Sequence, residues 1–229
     1  MFLDIGANIG YFSTLFAKAG YRVLAIEPVS RNVHALRNTL CLNRDIQENV
    51  TIVHTALGSK STFGPCVAEA HRTNSGNAVL RCGPNVSCSD LEAPRYHFED
   101  TVRANERRTR VSRSRGYCED VNISTLDLIL QNFLPAVQGQ SMLPVVAAKI
   151  DAEGAECAIL EGGGTLFTVI RPIMIYFESQ HAHVLACMRQ LADNHGYTLK
   201  PGLKWSTPKR MPLNLILVQD DWRKRSWFT

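Results

Sequence analysis

The sequence predicts an α/β protein, built on a Rossmann-like, doubly wound and mostly parallel sheet with an antiparallel strand towards its C-terminal end. Three observations carry that expectation. From Phe2 to Gly58, short apolar runs alternate with helical patterns in units of about 25 residues, the rhythm of parallel strands joined by right-handed crossovers. Val145 to Ile150 is an apolar run interrupted only by Lys149, as expected of a strand buried on both faces. Several of these runs end on an acidic residue and a turn, where ligands of open α/β sheets bind.

The chain begins with Phe-Leu-Asp-Ile-Gly-Ala-Asn-Ile-Gly from Phe2 to Gly10, an apolar strand that runs into a glycine turn and then, from Tyr11, into a helix. Gly6 is expected to remove a side chain where the backbone swings close to a ligand, and Gly10 to let the helix sit tight on the strand. The free N–H groups of the helix start would point back over the turn. A dinucleotide fingerprint would place a glycine at the strand end, whereas here the strand closes on Asp4, which suits an amine or a sulfonium better than a pyrophosphate. The helix from Tyr11 to Lys18 carries Phe12, Leu15 and Phe16 at helical spacing and stops at Gly20. Tyr21 to Ile26 is a β-rich run that closes on Glu27-Pro28, an acid at the neighbouring strand tip placed to accept both hydroxyls of a ribose. Asp4 for an amino-acid end and Glu27 for a ribose form the pattern expected of a site for S-adenosylmethionine.

Ser30 is expected to cap a second helix carrying Val33, Leu36 and Leu40, and Asn49 to Leu57 a third strand that ends at Gly58. Residues 59–120 break the rhythm and are expected to form a long irregular insertion, lid-like or partly disordered, with Thr73 to Asn77 as a turn. Ser124-Thr125-Leu126-Asp127 resembles a capping box ahead of a helical run to Leu134. After the strand ending at Ile150 comes Asp151-Ala152-Glu153-Gly154-Ala155-Glu156. Three crowded carboxylates bring no obvious stability, which points to function, although Glu153 and Glu156 would also favour the N-terminus of a helix over Ala155 to Leu160. A strand from Ile173 to Phe177 ends on Glu178, with His181 three residues on. A helix over 182–195 and strands over Tyr197–Lys200 and Leu213–Val218 complete the domain.

The 229 residues suit a single domain, and apolar and charged fractions of 45% and 20% suit a globular chain without a membrane-spanning run. The net charge of +4 is local, because six arginines and one glutamate in the segment 103–115 exceed it on their own. That segment could track phosphates but has little aromatic interleaving, so a solvated basic loop is the favoured reading and nucleic acid is not the expected partner. Seven cysteines without Cys-x-x-Cys spacing favour free thiols; Cys66, Cys82, Cys88 and Cys118 could form two disulfides, whereas Cys41, Cys157 and Cys187 read as small buried residues. The chain opens inside its first strand, so it reads as an N-terminally shortened form of a longer protein. The compartment is then cytoplasmic by default, or the secretory pathway if a leading segment is missing.

With these residues placed, the chain resembles the FkbM-type S-adenosylmethionine-dependent methyltransferases. The resemblance rests on Leu3 to Ser13, Ile26-Glu27-Pro28, Ala56-Leu57-Gly58, Ser124 to Asp127, Lys149 to Glu156 and Leu160-Glu161-Gly162, which together cover most of the chain. It implies the class I methyltransferase sheet, with Asp4, Gly6, Asn8, Gly10, Tyr11, Glu27 and Pro28 holding S-adenosyl-L-methionine. It also implies methyl transfer to oxygen, often on a sugar or other small hydroxylated metabolite.

An alcohol needs a general base to become a good nucleophile. The candidates are Asp151, Glu153, Glu178 and His181, with Asp151 or Glu153 first and Glu178 and His181 on the substrate side. No complete metal-ligand set is evident, and none is assigned. Two other functions compete: a nucleic-acid methyltransferase that uses the arginine segment, and a non-catalytic Rossmann-like remnant.

Overall fold

The structure is a computed structural model that describes residues 1–62, 64–71, 74–89, 117–134, 144–178, 182–201 and 214–221. The segment 103–115 and His181 lie outside these residues.

In chain order the strands are β1 (Phe2–Ile5), β2 (Val23–Glu27), β3 (Val50–His54), β4 (Ala56–Gly58), β5 (Cys66–His71), β6 (Asn74–Cys82), β7 (Tyr117–Val121), β8 (Ile123–Thr125), β9 (Ala147–Ile150), β10 (Met174–Glu178), β11 (Tyr197–Pro201) and β12 (Asn214–Gln219). The helices are α1 (Tyr11–Lys18), α2 (Ser30–Leu42), α3 (Leu126–Phe133), α4 (Glu156–Glu161) and α5 (Ala182–His195), with a π-helical turn over Leu166–Ile170. The main sheet has seven strands in the order β11-β12-β10-β9-β1-β2-β3. β3, β2, β1, β9 and β10 are parallel neighbours, while β12 runs antiparallel to both β10 and β11. β1 is followed in the chain by β2 on one side and flanked by β9 on the other, so the strand order reverses between β1 and β9. That reversal opens a crevice at the strand tips.

Strand alternation divides the core between the two faces of this sheet. Leu3, Ile5, Leu24, Ile26, Ala148, Ile150, Ile175 and Phe177 pack with Leu126, Leu130, Ile159, Phe167 and Val184 from the α3, α4 and α5 side. Phe2, Val23, Ala25 and Ala147 pack instead with Ala17, Leu36 and Leu40 of α1 and α2. Asp4 and Lys149 occupy that second face among the apolar residues, and this placement shapes the site.

Several local expectations change. The run expected as one strand over Asn49–Leu57 breaks at Thr55: β3 stays in the main sheet, whereas β4 pairs with β8 in a separate two-stranded sheet. Ser30 does not cap α2; the cap position is Val29, which gives no side-chain bond. At α3 the cap is Thr125, whose hydroxyl accepts from the Leu128 N–H, while Asp127 reaches across to the Thr165 N–H at 2.8 Å. Within the region expected to be irregular, β5, β6 and β7 form a three-stranded antiparallel sheet in the order β6-β5-β7. Asn74 to Asn77, expected as part of a turn, belong to β6.

The cysteines are paired rather than free. Disulfides join Cys66 to Cys82, Cys88 to Cys118 and Cys157 to Cys187, leaving only Cys41 as a thiol. The third bond staples α4 to α5, so Cys157 and Cys187 are cross-links and not merely small core residues. Thiol titration in denaturant without reductant should therefore give one thiol per chain, assigned to Cys41; a count of seven would restore the free-thiol reading. Replacing both Cys157 and Cys187 by Ser should cost about 2–4 kcal/mol in urea unfolding.

Candidate active site

The turn after β1 is shaped by backbone geometry that few residues tolerate. Gly6 and Gly10 have φ of 73° and 88°, and Asn8 has 52°, within the left-handed region. A side chain on Gly6 would overlap the Asp151 carbonyl oxygen, and one on Gly10 would overlap Leu36 of α2. Both glycines are therefore required by close packing against other parts of the protein. Gly6 brings the β1 tip against the β9 tip, and Gly10 seats the start of α1 on α2.

Glu27 holds this turn from the neighbouring strand. Its Oε2 accepts the Asn8 N–H at 2.8 Å, and its Oε1 accepts from the Val29 N–H and the Asn32 side-chain amide, each at 3.1 Å. Burial raises the Glu27 pKa, opposed by those hydrogen bonds and by Lys149. Each carboxylate oxygen has two lone pairs, so Oε2 keeps capacity for one further donor.

Asp4 lies deeper. It is fully buried, its Oδ2 accepts from the Ser13 hydroxyl at 2.6 Å, and its Oδ1 lies 3.6 Å from the Lys149 ammonium. The parallel register of β1 and β9 sets Asp4 directly beside Lys149. Burial raises the Asp4 pKa, with Lys149 and Ser13 acting in the opposite direction. Lys149 also donates to the Gly6 carbonyl at 2.6 Å, lies 3.4 Å from Asp151 Oδ2 and sits 5.6 Å from the Phe12 ring centre. One ammonium thus ties the first motif to the second. Sequence reading passed over Lys149 as an interruption in an apolar strand, although a charge in such a strand is itself a signal.

The 151–156 segment separates its acids by environment. Glu156 is buried, and its Oε1 accepts the N–H groups of Ala152 and Gly154 at 2.9 and 3.2 Å, so it holds the loop in shape. Glu153 sits at the apex with φ of 51°, a conformation that costs energy and clusters at functional sites. Oxygens of Asp151, Glu153 and Glu178 lie within 4.8 Å of one another. Burial first, and then the charges of Asp151, Glu178 and Glu156, push the Glu153 carboxyl up to about 7. Tyr176, half-buried beside the same charges, is also shifted upwards, chiefly by burial.

A cleft of about 680 Å³, its open mouth included, runs along these strand tips. Gly6, Asn8, Glu27, Pro28, Asp151 and Glu153 line it. Asp4, Gly10 and Tyr11 do not. Asp4 supports the turn from beneath, and Tyr11 is 70% exposed at the start of α1, edge-on to Phe12. Glu178 joins the carboxylate group rather than the described cleft lining, and His181 lies outside the described residues.

An open parallel sheet with this strand order and an acid-bearing cleft at its switch point has the class I, Rossmann-like methyltransferase fold. The chain belongs to the FkbM methyltransferase family, whose domain model matches residues 4–199. Family membership implies S-adenosylmethionine as methyl donor, and the donor set of the cleft, with the Glu27 carboxylate beside the turn at Gly6 and Asn8, fits the ribose of such a group. Among solved structures, an FkbM methyltransferase from Methylobacillus flagellatus matches with a TM-score of 0.51 and 16% identity over 94% of this chain. The chain spans 42% of that protein's length. A human methyltransferase 10 domain containing protein matches with a TM-score of 0.48 at 12% identity, over 96% of this chain and 71% of its own. An rRNA methylase from Streptococcus thermophilus matches with 0.47 at 9%, over 95% and 85%. No curated protein matches the chain.

The pairing of Asp4 with Lys149 makes a specific prediction. Lys149→Met should destabilise the protein by about 3 kcal/mol, because it leaves a buried carboxylate without its counter-charge. Asp4→Asn combined with Lys149→Met should recover much of that loss in urea unfolding, whereas additive losses would mean the two residues do not act as a pair.

Proposed function

We propose that the chain is an S-adenosylmethionine-dependent methyltransferase that methylates a hydroxyl oxygen of a sugar or other small metabolite. The observation that carries this reading is the single cleft lined by Glu27 together with Asp151 and Glu153. Residues 1–229 act in this reading as one methyltransferase domain, with 59–120 as its insertion.

The cofactor supplies an electrophilic methyl group on a sulfonium. The chain must hold an acceptor in line with it, exclude water and take a proton. Glu27 would offer a carboxylate oxygen to the ribose hydroxyls, and the turn at Gly6 and Asn8 borders the same space. Glu153 is the first choice for the proton. A carboxylate poised near neutrality takes a proton from an alcohol better than one with an ordinary acidity. Burial first, and then the charges of Asp151 and Glu178, raise its proton affinity. Asp4, through Ser13 and Lys149, positions the turn from beneath. The three disulfides suit a working compartment that is oxidising, as the secretory pathway would be.

Titration of S-adenosylhomocysteine into the wild type should release or absorb heat. Glu27→Gln should weaken binding roughly 10- to 100-fold, the worth of a charge-assisted hydrogen bond. No heat with the wild type would end the methyltransferase reading. The base assignment has its own signature: Glu153 must be ionised to accept a proton, so the rate should fall as pH drops through about 7. With labelled donor and a glycan or metabolite extract as acceptor, Glu153→Gln should lose most of the rate and flatten that limb; an unchanged limb would move the role to Asp151 or Glu178.

A further inference from the structure

The wall of the cleft furthest from the carboxylates in composition comes from the inserted sheet and not from the parallel one. Ala68 of β5 and Ala78 and Leu80 of β6 line the cleft together with Ile26, Ala56 and Leu57. The polar lining comes from the tips of β1, β2 and β9, with Asn32 of α2 and Thr55 between β3 and β4, whereas β4, β5 and β6 contribute apolar side chains. Such a surface suits the faces of a planar heterocycle.

Register shows how the wall is held. Ala68 lies opposite Leu80 on one side and Glu119 of β7 on the other, and Cys66 opposite Cys82 forms the next rung on the same face. The disulfide Cys66–Cys82 therefore fixes the rung beside the lining pair. The opposite face carries Arg81, whose Nε lies 3.3 Å from Glu69 Oε2. Glu119, on the lining face, reaches the start of α2: its Oε1 accepts the Ser30 N–H at 2.5 Å, just after the Glu27-Pro28 turn, and its Oε2 accepts the Tyr117 hydroxyl at 2.6 Å. Burial and the neighbouring Glu119 drive the Tyr117 pKa up to about 12, so that hydroxyl stays a donor at neutral pH. Cys88–Cys118 ties the chain after β6 back to β7.

We propose that the inserted sheet is the base-side wall of the cofactor cleft: Ala68, Ala78 and Leu80 pack against a purine ring, held by the Cys66–Cys82 rung and the Glu119–Ser30 hydrogen bond. This assignment rests on the methyltransferase reading and deepens it, since a segment outside the parallel sheet then controls cofactor affinity. Glu119 is a positioning residue in this arrangement, and the disulfide makes binding sensitive to reductant.

The test uses the whole chain, with S-adenosylhomocysteine and adenosine as probes. Ala78→Trp should fill the base space and lower the affinity for both by more than about tenfold, and Leu80→Ala should weaken both by roughly fivefold through lost apolar contact. Cys66→Ser with Cys82→Ser should weaken both probes while thermal melting still shows a folded protein. Unchanged affinity in folded Ala78→Trp, or a loss for S-adenosylhomocysteine that adenosine does not share, would overturn the assignment. If Ala78→Trp does not fold, Leu80→Ala decides by the same criterion. Failure of the wild type to bind either probe would instead strike the methyltransferase reading itself.

Discussion

The rest of the site depends on a buried ion pair. Asp4 and Lys149 face each other in register across two central parallel strands, on a sheet face that otherwise packs apolar side chains against α1 and α2. A buried pair rarely stabilises a fold more than two apolar residues of the same shape would, because both charges must leave water. What it supplies here is placement. The carboxylate fixes Ser13 in the first turns of α1, and the ammonium fixes the Gly6 carbonyl and approaches Asp151. The two strand tips that border the cleft are thereby set at a defined distance, and Gly6 is the residue that lets them meet so closely. Asp4 gives direction to a site that it does not itself line.

The carboxylates around that pair show how environment divides similar groups between different tasks. Glu156 and Glu153 are three residues apart and equally acidic on paper. Glu156 receives two backbone N–H groups, and its bonds shape the loop. Glu153 is carried by that loop to a strained apex, where burial and like charge favour its protonated form. The first therefore behaves as scaffold, while the second is the group proposed above to take the proton, in the way that paired titratable groups separate into distinct roles when their surroundings differ. Lys149 moderates the contest by lowering what burial and repulsion raise.

Much of this was legible in the sequence, and the reasons are physical. The parallel core was readable because strands buried on both faces leave continuous apolar runs, and Asp4, Glu27 and Asp151 were readable because an acid at the end of such a run stands out, whereas the structural work of Asp4 and Glu27 was not. The inserted sheet was not, because β5 and β6 are rich in Ala, Asn, Ser and Gly, so their alternation carries little hydrophobic contrast. The Cys157–Cys187 bond was hidden too, and for the four clustered cysteines, where two bonds were conceivable, the pairing was open, since spacing in sequence says nothing about which cysteines meet across a sheet or between α4 and α5. The role of Glu156 was hidden as well, because a cap on one's own loop and a catalytic acid look identical in one dimension.

These hidden features belong together. A parallel sheet can present polar groups at its strand tips, but its crevice is open on the solvent side, and an apolar ligand face placed there needs a cover. Covering it with an insertion of low hydrophobicity would ordinarily be unstable, because Ala-rich strands bury too little surface to offset the order they require. The disulfides change that balance. Cys66–Cys82 and Cys88–Cys118 restrict the unfolded chain as well as the folded one, and Glu119 anchors the result to the start of α2. Small residues can then face the cleft, leaving room that bulkier core side chains would have filled. The same substitution of covalent for hydrophobic stability that made the insertion unreadable in sequence is what lets it stand as a wall beside an open pocket.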